Sequence, residues 1–241
     1  MIKLMHGDCL ELMEGIREKS IDLILCDLPY GVTRNKWDSV IPLDSLWNQY
    51  NRIIKDTGVI CLFSQPPFSY VLGMGNLQNF RYEWVWKKDN VTGFLNANKA
   101  PLRIEERIMV FYKNQCTYNP QMRSGFSRYK TVHISNTTNY GSHKAVETES
   151  NGERFPINIL EFKRDPSKLH PTQKPVALLE YLVKTYTNKN DLVLDNCMGS
   201  GSTGIACINT HRDFIGMELN DEYYQLAEQR ILETNKLGFL K

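Results

Sequence analysis

Leu192-Val193-Leu194-Asp195 runs directly into Asn196-Cys197-Met198-Gly199-Ser200-Gly201-Ser202-Thr203-Gly204, and this stretch decides the fold class. A short apolar, β-forming run ends in an acid, a glycine-rich bend follows, and Ser202 to Ile208 has helical character. The bend has the spacing G-x-G-x-x-G, and Glu218 follows Gly199 by 19 positions, closing the next apolar run Phe214-Ile215-Gly216-Met217. Such a unit suits an adenosine-containing cofactor. Glycines let the backbone approach the ligand, a helix amino end offers N–H groups to its anionic part, and the acid accepts ribose hydroxyls. The spacing alone fits a nicotinamide dinucleotide, S-adenosylmethionine or a purely structural turn.

Outward from this unit the same alternation recurs. A helical stretch around Leu10 to Ile16 precedes the apolar run Ile21 to Cys26. Leu43, Leu46, Trp47, Tyr50, Ile53 and Ile54 recur at helical spacing up to Gly58, and strand-like runs follow at Val59–Phe63, Tyr82–Trp86 and Ile108–Tyr112. Pro175 to Tyr186 has the pattern of a helix, and a closing helix starts at Asp221. Strands alternating with helices predict an α/β fold with a mostly parallel central sheet. Residues 114–156 lose this periodicity and are rich in Asn, Ser, Thr, Gly and Tyr, with Arg123, Arg128 and Lys130 interleaved among Tyr118, Phe126, Tyr129 and Tyr140. The expected organisation is one domain built from two halves, 1–113 and 157–241, separated by an inserted segment, 114–156.

The 241 residues are 41% hydrophobic and 23% charged, which excludes a disordered or fibrous chain and bounds the protein to one domain or one domain with an insertion. Six cysteines are scattered without a Cys-x-x-Cys pair, as for reduced thiols, and no apolar stretch approaches the ~18 residues of a membrane helix. A cytoplasmic protein is expected. The five histidines show no metal-ligand spacing, so no metal is expected. Net charge is +2, but residues 81–174 carry 16 Lys+Arg against 9 Asp+Glu, leaving the remainder with 13 against 18. The basic middle suits a polyanion, and a solvated basic face suits it as well.

Asp27-Leu28-Pro29-Tyr30-Gly31 stands where the run Ile21 to Cys26 ends. The lone pair of an exocyclic amine on a heteroaromatic ring is delocalised, so methylating it requires acceptors that favour the pyramidal, nucleophilic nitrogen. Asp27 can accept one amino hydrogen, and the carbonyl of Leu28, held extended by the following proline, can accept another. Tyr30 offers a stacking face for a flat base. A strand ending in a proline turn with a capping acid has the same composition. Trp37, in the loop that follows, suits closure over a base or an anchor for the next helix.

Gly7-Asp8-Cys9-Leu10, the Asp27–Gly31 turn, His170-Pro171-Thr172-Gln173-Lys174-Pro175, the Asp195–Gly201 loop and Gly216-Met217-Glu218-Leu219, in that order, resemble the S-adenosylmethionine-dependent DNA amino-methyltransferases. The order matches their beta group, in which the catalytic turn precedes the target-recognition region and the cofactor loop follows it. The resemblance implies a Rossmann-like methyltransferase fold, S-adenosyl-L-methionine as cofactor and double-stranded DNA as partner, with restriction–modification as a setting. It implies a catalytic turn of Asp27, Leu28, Pro29 and Tyr30. The acidic first residue points to adenine N6, since cytosine-N4 relatives usually carry Ser there.

By the same resemblance Gly199 and Gly201 would line the methionine part of the cofactor, and Asp195 and Ser200 of the same loop would be cofactor-binding. Glu218 would hold the ribose, Asp8 would lie near the adenine, and Lys174 with Thr172 would approach the methionine end. Arg123, Arg128 and Lys130 suit nucleic-acid phosphates. Analogy with short chains of the group suggests a homodimer. Two positions depart from the family pattern: Leu28 where a proline is usual, and Cys197 where an aromatic is usual. Methylation of cytosine N4, RNA or a protein glutamine, a silent module that binds without turnover, and a dinucleotide-dependent oxidoreductase are the alternatives at this stage.

Overall fold

The computed structural model describes residues 1–31, 40–133, 136–137, 141–142, 146–165 and 173–238. Trp37, Tyr140, His170 and Thr172 lie outside the described residues. In chain order the elements are β1 (Ile2–His6), α1 (Cys9–Glu14), β2 (Ile21–Asp27), α2 (Leu43–Ile53), β3 (Ile54–Ser64), α3 (Phe68–Gly75) and β4 (Phe80–Thr92). A single 3₁₀ turn (Phe94–Asn96) leads to β5 (Arg103–Phe111), followed by the short β6 (Tyr129–His133), β7 (Asn136–Thr137), β8 (Gly141–Ser142) and β9 (Val146–Ser150). The chain closes with β10 (Ile159–Glu161), α4 (Val176–Tyr186), β11 (Leu192–Asp195), α5 (Ser202–Thr210), β12 (Asp213–Glu218) and α6 (Asp221–Gly238).

Among the described residues, eight strands form one sheet in the order β1-β12-β11-β2-β3-β5-β4-β10. Every pairing is parallel except those of β5, which runs antiparallel to both β3 and β4. The fold is therefore α/β with a mostly parallel central sheet. From β2 the chain builds outward through β3, and from β11 it builds the opposite way through β12. The crevice between the carboxyl ends of β2 and β11 is the topological switch point, where open α/β sheets bind ligands. Leu23 pairs with Val193 and Ile24 with Leu194, so Asp27 and Asp195 end neighbouring parallel strands.

Strand alternation explains the two cores. Leu23 and Leu25 of β2 join Val59, Cys61 and Phe63 of β3 on one face, covered by Leu178 and Leu182 of α4, Ala206 of α5 and Ala227 of α6. Ile24 and Cys26 join Ile60 and Leu62 on the other, under Met13 of α1, Leu46 and Tyr50 of α2 and Leu72 of α3. Tyr186, at the end of α4, accepts the Trp84 Nε1–H at 2.5 Å and shares a 2.9 Å hydrogen bond with the Tyr82 hydroxyl, tying β4 to the helical layer. Tyr186→Phe leaves the buried Trp84 N–H without its acceptor and is expected to cost about 1–3 kcal/mol. Urea denaturation should show a lower midpoint at unchanged slope; an unchanged midpoint would mean the bond contributes nothing.

Several elements differ from the sequence expectation. The helical spacing through Ile54 ends one residue sooner, because Ile54 is extended (φ −71°, ψ 140°) and pairs with Ile21 as the first residue of β3. The strands β1 and β10 and the helix α3 carried no clear periodicity. Residues Met1–Asn119 and Asn158–Lys241 form one compact unit and Pro120–Ile157 a second, so residues 114–119 belong to the first. Cys116 is buried in the core of that unit, and the Asn119 backbone N–H donates to the Thr185 carbonyl at 2.7 Å. In the second unit β6 pairs antiparallel with β9, and Arg123 forms a backbone bridge with Arg154.

Candidate functional site

The loop between β11 and α5 is fixed from several directions. Asp195, buried at the strand end, accepts the Cys197 backbone N–H through Oδ1 at 3.1 Å and the Thr203 hydroxyl through Oδ2 at 2.6 Å. Burial raises its carboxyl to about 6. Tyr50 of α2 donates to Asn196 Oδ1 at 2.6 Å, and Asn196 Nδ2 lies 3.5 Å from both the Cys9 and Cys197 sulfurs. Arg230 of α6 donates to the Ser200 carbonyl. Gly199 (φ 50°) and Gly201 (φ 79°) take up the left-handed conformations that make the bend.

Glu218 ends β12 and accepts two backbone N–H groups, from Gly199 at 2.9 Å and Asn220 at 2.8 Å. Its carboxyl is pushed up by burial. One carboxylate thus holds the glycine bend against the end of the next strand, which explains why an acid belongs there even without a ligand. β1 pairs with β12 out to His6 opposite Glu218, so Gly7 and Asp8 arrive beside it, and the Gly7 N–H donates to the Glu218 carbonyl at 3.0 Å. Asp8 caps α1, accepting the Leu10 N–H at 2.8 Å.

At the end of β2, Asp27 accepts the Tyr30 hydroxyl on Oδ1 at 2.7 Å and the Lys174 ammonium on Oδ2 at 2.6 Å. The Tyr30 ring stacks against Phe68 of α3 with centroids 5.1 Å apart. The Leu28 side chain is buried in the same cluster as Met13 and Leu46, which accounts for an apolar residue at this departure from the family pattern. Lys174 also lies 3.1 Å from Glu106 Oε2 and 5.0 Å from the centre of the Phe63 ring, and Glu106 Oε1 accepts the Lys88 ammonium at 3.1 Å. Burial raises the Asp27 carboxyl and Lys174 opposes that rise. For Glu106 the burial penalty is outweighed by Lys174 and Lys88, which hold its carboxyl below the usual range.

A cavity of about 780 Å³ joins both turns. Asp8, Asp27, Leu28, Pro29, Tyr30, Lys174, Asp195, Gly199, Ser200 and Glu218 all line it. Gly201 does not line it. A Cβ there would meet Ile231 Cδ1 at 2.9 Å and Ala227 Cα at 3.2 Å, so this glycine serves close packing of α5 against α6 rather than ligand approach. Lys174, expected to approach the methionine end of the cofactor, lines the same cavity as Gly199 and Ser200 and is held on Asp27. Ser202 Oγ is buried on the cavity wall at the start of α5 and has no hydrogen-bond partner.

Glu106 and Lys88 also line the cavity and escaped the sequence reading. A signal existed: Trp84, Trp86 and Lys88 fall on one face of β4 at period two. Arg123, Arg128 and Lys130 all belong to the second unit. There Lys130 pairs with Glu147, Arg123 lies 5.2 Å over the Phe126 ring, and Arg128 is exposed. Arg154 lies 4.4 Å over Tyr129 and 5.3 Å over Phe126. Among the described residues no cluster of His, Cys, Asp and Glu could hold a metal ion, and no helix is long and apolar enough to cross a membrane.

The family model described as DNA methylase matches residues 21–229. The chain is similar to the DNA adenine methyltransferase YhdJ of Escherichia coli K12, 29% identical over 95% of this chain and 82% of that protein. It is also similar to the type II methyltransferase M.HinfI of Haemophilus influenzae, 28% identical over 95% of this chain and 68% of that one. Among solved structures, the M1.HpyAVI–SAM complex superposes with a TM-score of 0.65 at 24% identity, covering 96% of this chain and 99% of that chain. The cytosine-N4-specific PvuII DNA methyltransferase gives 0.68 at 17%, covering 98% and 92%.

Proposed function

Because the chain belongs to the DNA methylase family, we propose that it transfers a methyl group from S-adenosyl-L-methionine to adenine N6 in double-stranded DNA, at a specific site, on a base swung out of the duplex. The observation that carries this reading is the single cavity in which the Asp27 turn and the glycine bend meet at the switch point of the sheet. Adenine is favoured over cytosine by the acid at position 27 and by the adenine-methylating relative of known name.

The residues present fit the cofactor. Ser202 Oγ, buried and unpartnered on the cavity wall beside the amino end of α5, is a donor for a carboxylate. Glu218 has lone pairs left for ribose hydroxyls after accepting its two backbone N–H groups. Asp8 stands at the adjoining strand end. When bound, the cofactor supplies a methyl group already made electrophilic by its sulfonium.

What remains for the protein is placement and acceptance of charge. Asp27 accepts a hydrogen bond from one N6 hydrogen and, with its negative charge, stabilises the positive charge that develops on the amine as the N–C bond forms and the methyl–sulfur bond breaks; the surplus proton of the methylated amine then leaves by way of Asp27 to solvent. The Leu28 carbonyl accepts the other. Tyr30, its hydroxyl bound to Asp27 and one side backed by Phe68, is a fixed platform against which a flat base stacks. Extruding the base costs a few kcal/mol, offset by this stacking and by phosphate contacts. Arg123, Arg128 and Lys130, with Arg154 on its aromatic ladder, supply cations for those phosphates in the Pro120–Ile157 unit. Incubation with isotopically labelled S-adenosylmethionine and unmethylated duplex DNA, followed by digestion to nucleosides, should place the label in N6-methyladenine. Label in N4-methylcytosine, or none in DNA, would refute the reading.

A further inference from the structure

Asp27 is surrounded by titratable groups on every side. Lys174 faces it from the segment before α4, Glu106 from β5, Tyr30 from its own turn, Asp195 from β11 and the Cys26 thiol from its own strand, with Lys88 of β4 behind Glu106. Glu106 reaches this place because β5 is antiparallel, so its beginning lies at the carboxyl edge of the parallel strands. Phe63 pairs with Ile108 and Trp86 with Glu106, which puts the carboxylate on the inward face beside the catalytic turn. Lys88, Lys174 and Glu106 are each nearly or wholly withdrawn from solvent. Buried charges persist when they are paired, and here two acids alternate with two lysines in the order Asp27, Lys174, Glu106, Lys88.

Resting on the methyl-transfer reading above, we propose that Glu106 is a positioning residue: it shares the Lys174 ammonium with Asp27, so that Lys174 keeps Asp27 aimed while Asp27 keeps the acceptor strength that a dedicated ion pair would take from it. Alone with Asp27, Lys174 would neutralise the acid that must accept the amine. Without Lys174, burial and the nearby Glu106 would favour a protonated Asp27 unable to accept. Lys88 balances Glu106, so the cluster is neutral and Glu106 stays ionised.

The directions of two perturbations follow from the geometry and oppose each other. Glu106→Gln removes a negative charge beside Asp27 and leaves Lys174 to it, lowering the Asp27 titration midpoint. Lys174→Gln removes the cation and raises that midpoint. Each shift should be about one pH unit. The Asp27 carboxyl carbon can be followed by carbon-13 resonance in protein labelled at aspartate and assigned with Asp27→Asn, a measurement that needs no turnover and stands even if the methyl-transfer reading fails. In active protein the acid limb of the rate of N6-methyladenine formation should move with the titration: down in Glu106→Gln, up in Lys174→Gln. Lys88→Gln, which leaves Glu106 free to draw Lys174 away, should raise the midpoint and serves if either of the others does not fold. A merely structural role would reduce activity without moving the titration. Midpoints unchanged, or displaced in the same direction by Glu106→Gln and Lys174→Gln, would overturn the proposal.

Discussion

Asp27→Asn is expected to lose methyl transfer by about 10²–10³-fold, the range observed when one preorganised transition-state partner is removed, while binding S-adenosylmethionine as the parent does. The substitution keeps the shape of the side chain. Its amide oxygen must turn to the Lys174 ammonium, which sits 2.6 Å from Oδ2, because an amide N–H₂ cannot face a cation. The N–H₂ then faces the Tyr30 hydroxyl and the base. A donor thus stands where the exocyclic amine needs an acceptor, and the negative charge that stabilises the reacting nitrogen is gone. Cofactor affinity is spared because Asp8, Ser202 and Glu218 lie on other elements around the same cavity, after β1, at the start of α5 and at the end of β12. Single-turnover kinetics and calorimetry on one preparation separate the two effects. Parental turnover in Asp27→Asn would remove this residue from the mechanism.

Gly201→Ala carries the largest expected cost in stability. The residue is at φ 79°, where a side chain costs about 1–2 kcal/mol. The new methyl would press on Ile231 Cδ1 at 2.9 Å, Ala227 Cβ at 3.0 Å and Ala227 Cα at 3.2 Å. The last is backbone and cannot swing aside, adding about 1–3 kcal/mol of overpacking. A loss near 3 kcal/mol corresponds to a fall in Tm of about 6–12 °C for a chain of this size. Gly201 also caps α5, so displacement of α6 carries Ser202 and the Ser200 carbonyl held by Arg230 with it. Cofactor affinity should drop by about tenfold or more, equivalent to one lost hydrogen bond to a charged group. A variant melting within about 2 °C of the parent would show that α6 yields more easily than its packing implies.

The ends of β2 and β11 were legible because each is a largely apolar run closed by an acid. Ile21–Asp27 and Leu192–Asp195 could be read directly, and parallel pairing then brought the two acids to one edge. Glu218 was legible from its spacing to Gly199, although its first task is to hold the bend through two backbone N–H groups. The Glu106–Lys88 pair was not legible. Its place depends on β5 running antiparallel and on the register of Trp86 with Glu106, both set by pairing across the hairpin between β4 and β5. The three-residue β10 is too short for any period to show. Lys174 was found through its motif, but its partner was not: the 147 positions that separate it from Asp27 are closed by the sheet, not by any local pattern.

A crystal structure of the protein with a duplex carrying its target adenine and an unreactive S-adenosylmethionine analogue tests the central claim most directly. The account predicts the adenine outside the helical stack, lying on the exposed face of Tyr30, with N6 within about 3.2 Å of Asp27 and of the Leu28 carbonyl and the analogue's sulfur-bearing end directed at N6 from the side of Ser202 and Glu218. An adenine still stacked in the duplex, or an analogue bound away from the cavity that joins the two turns, would contradict it.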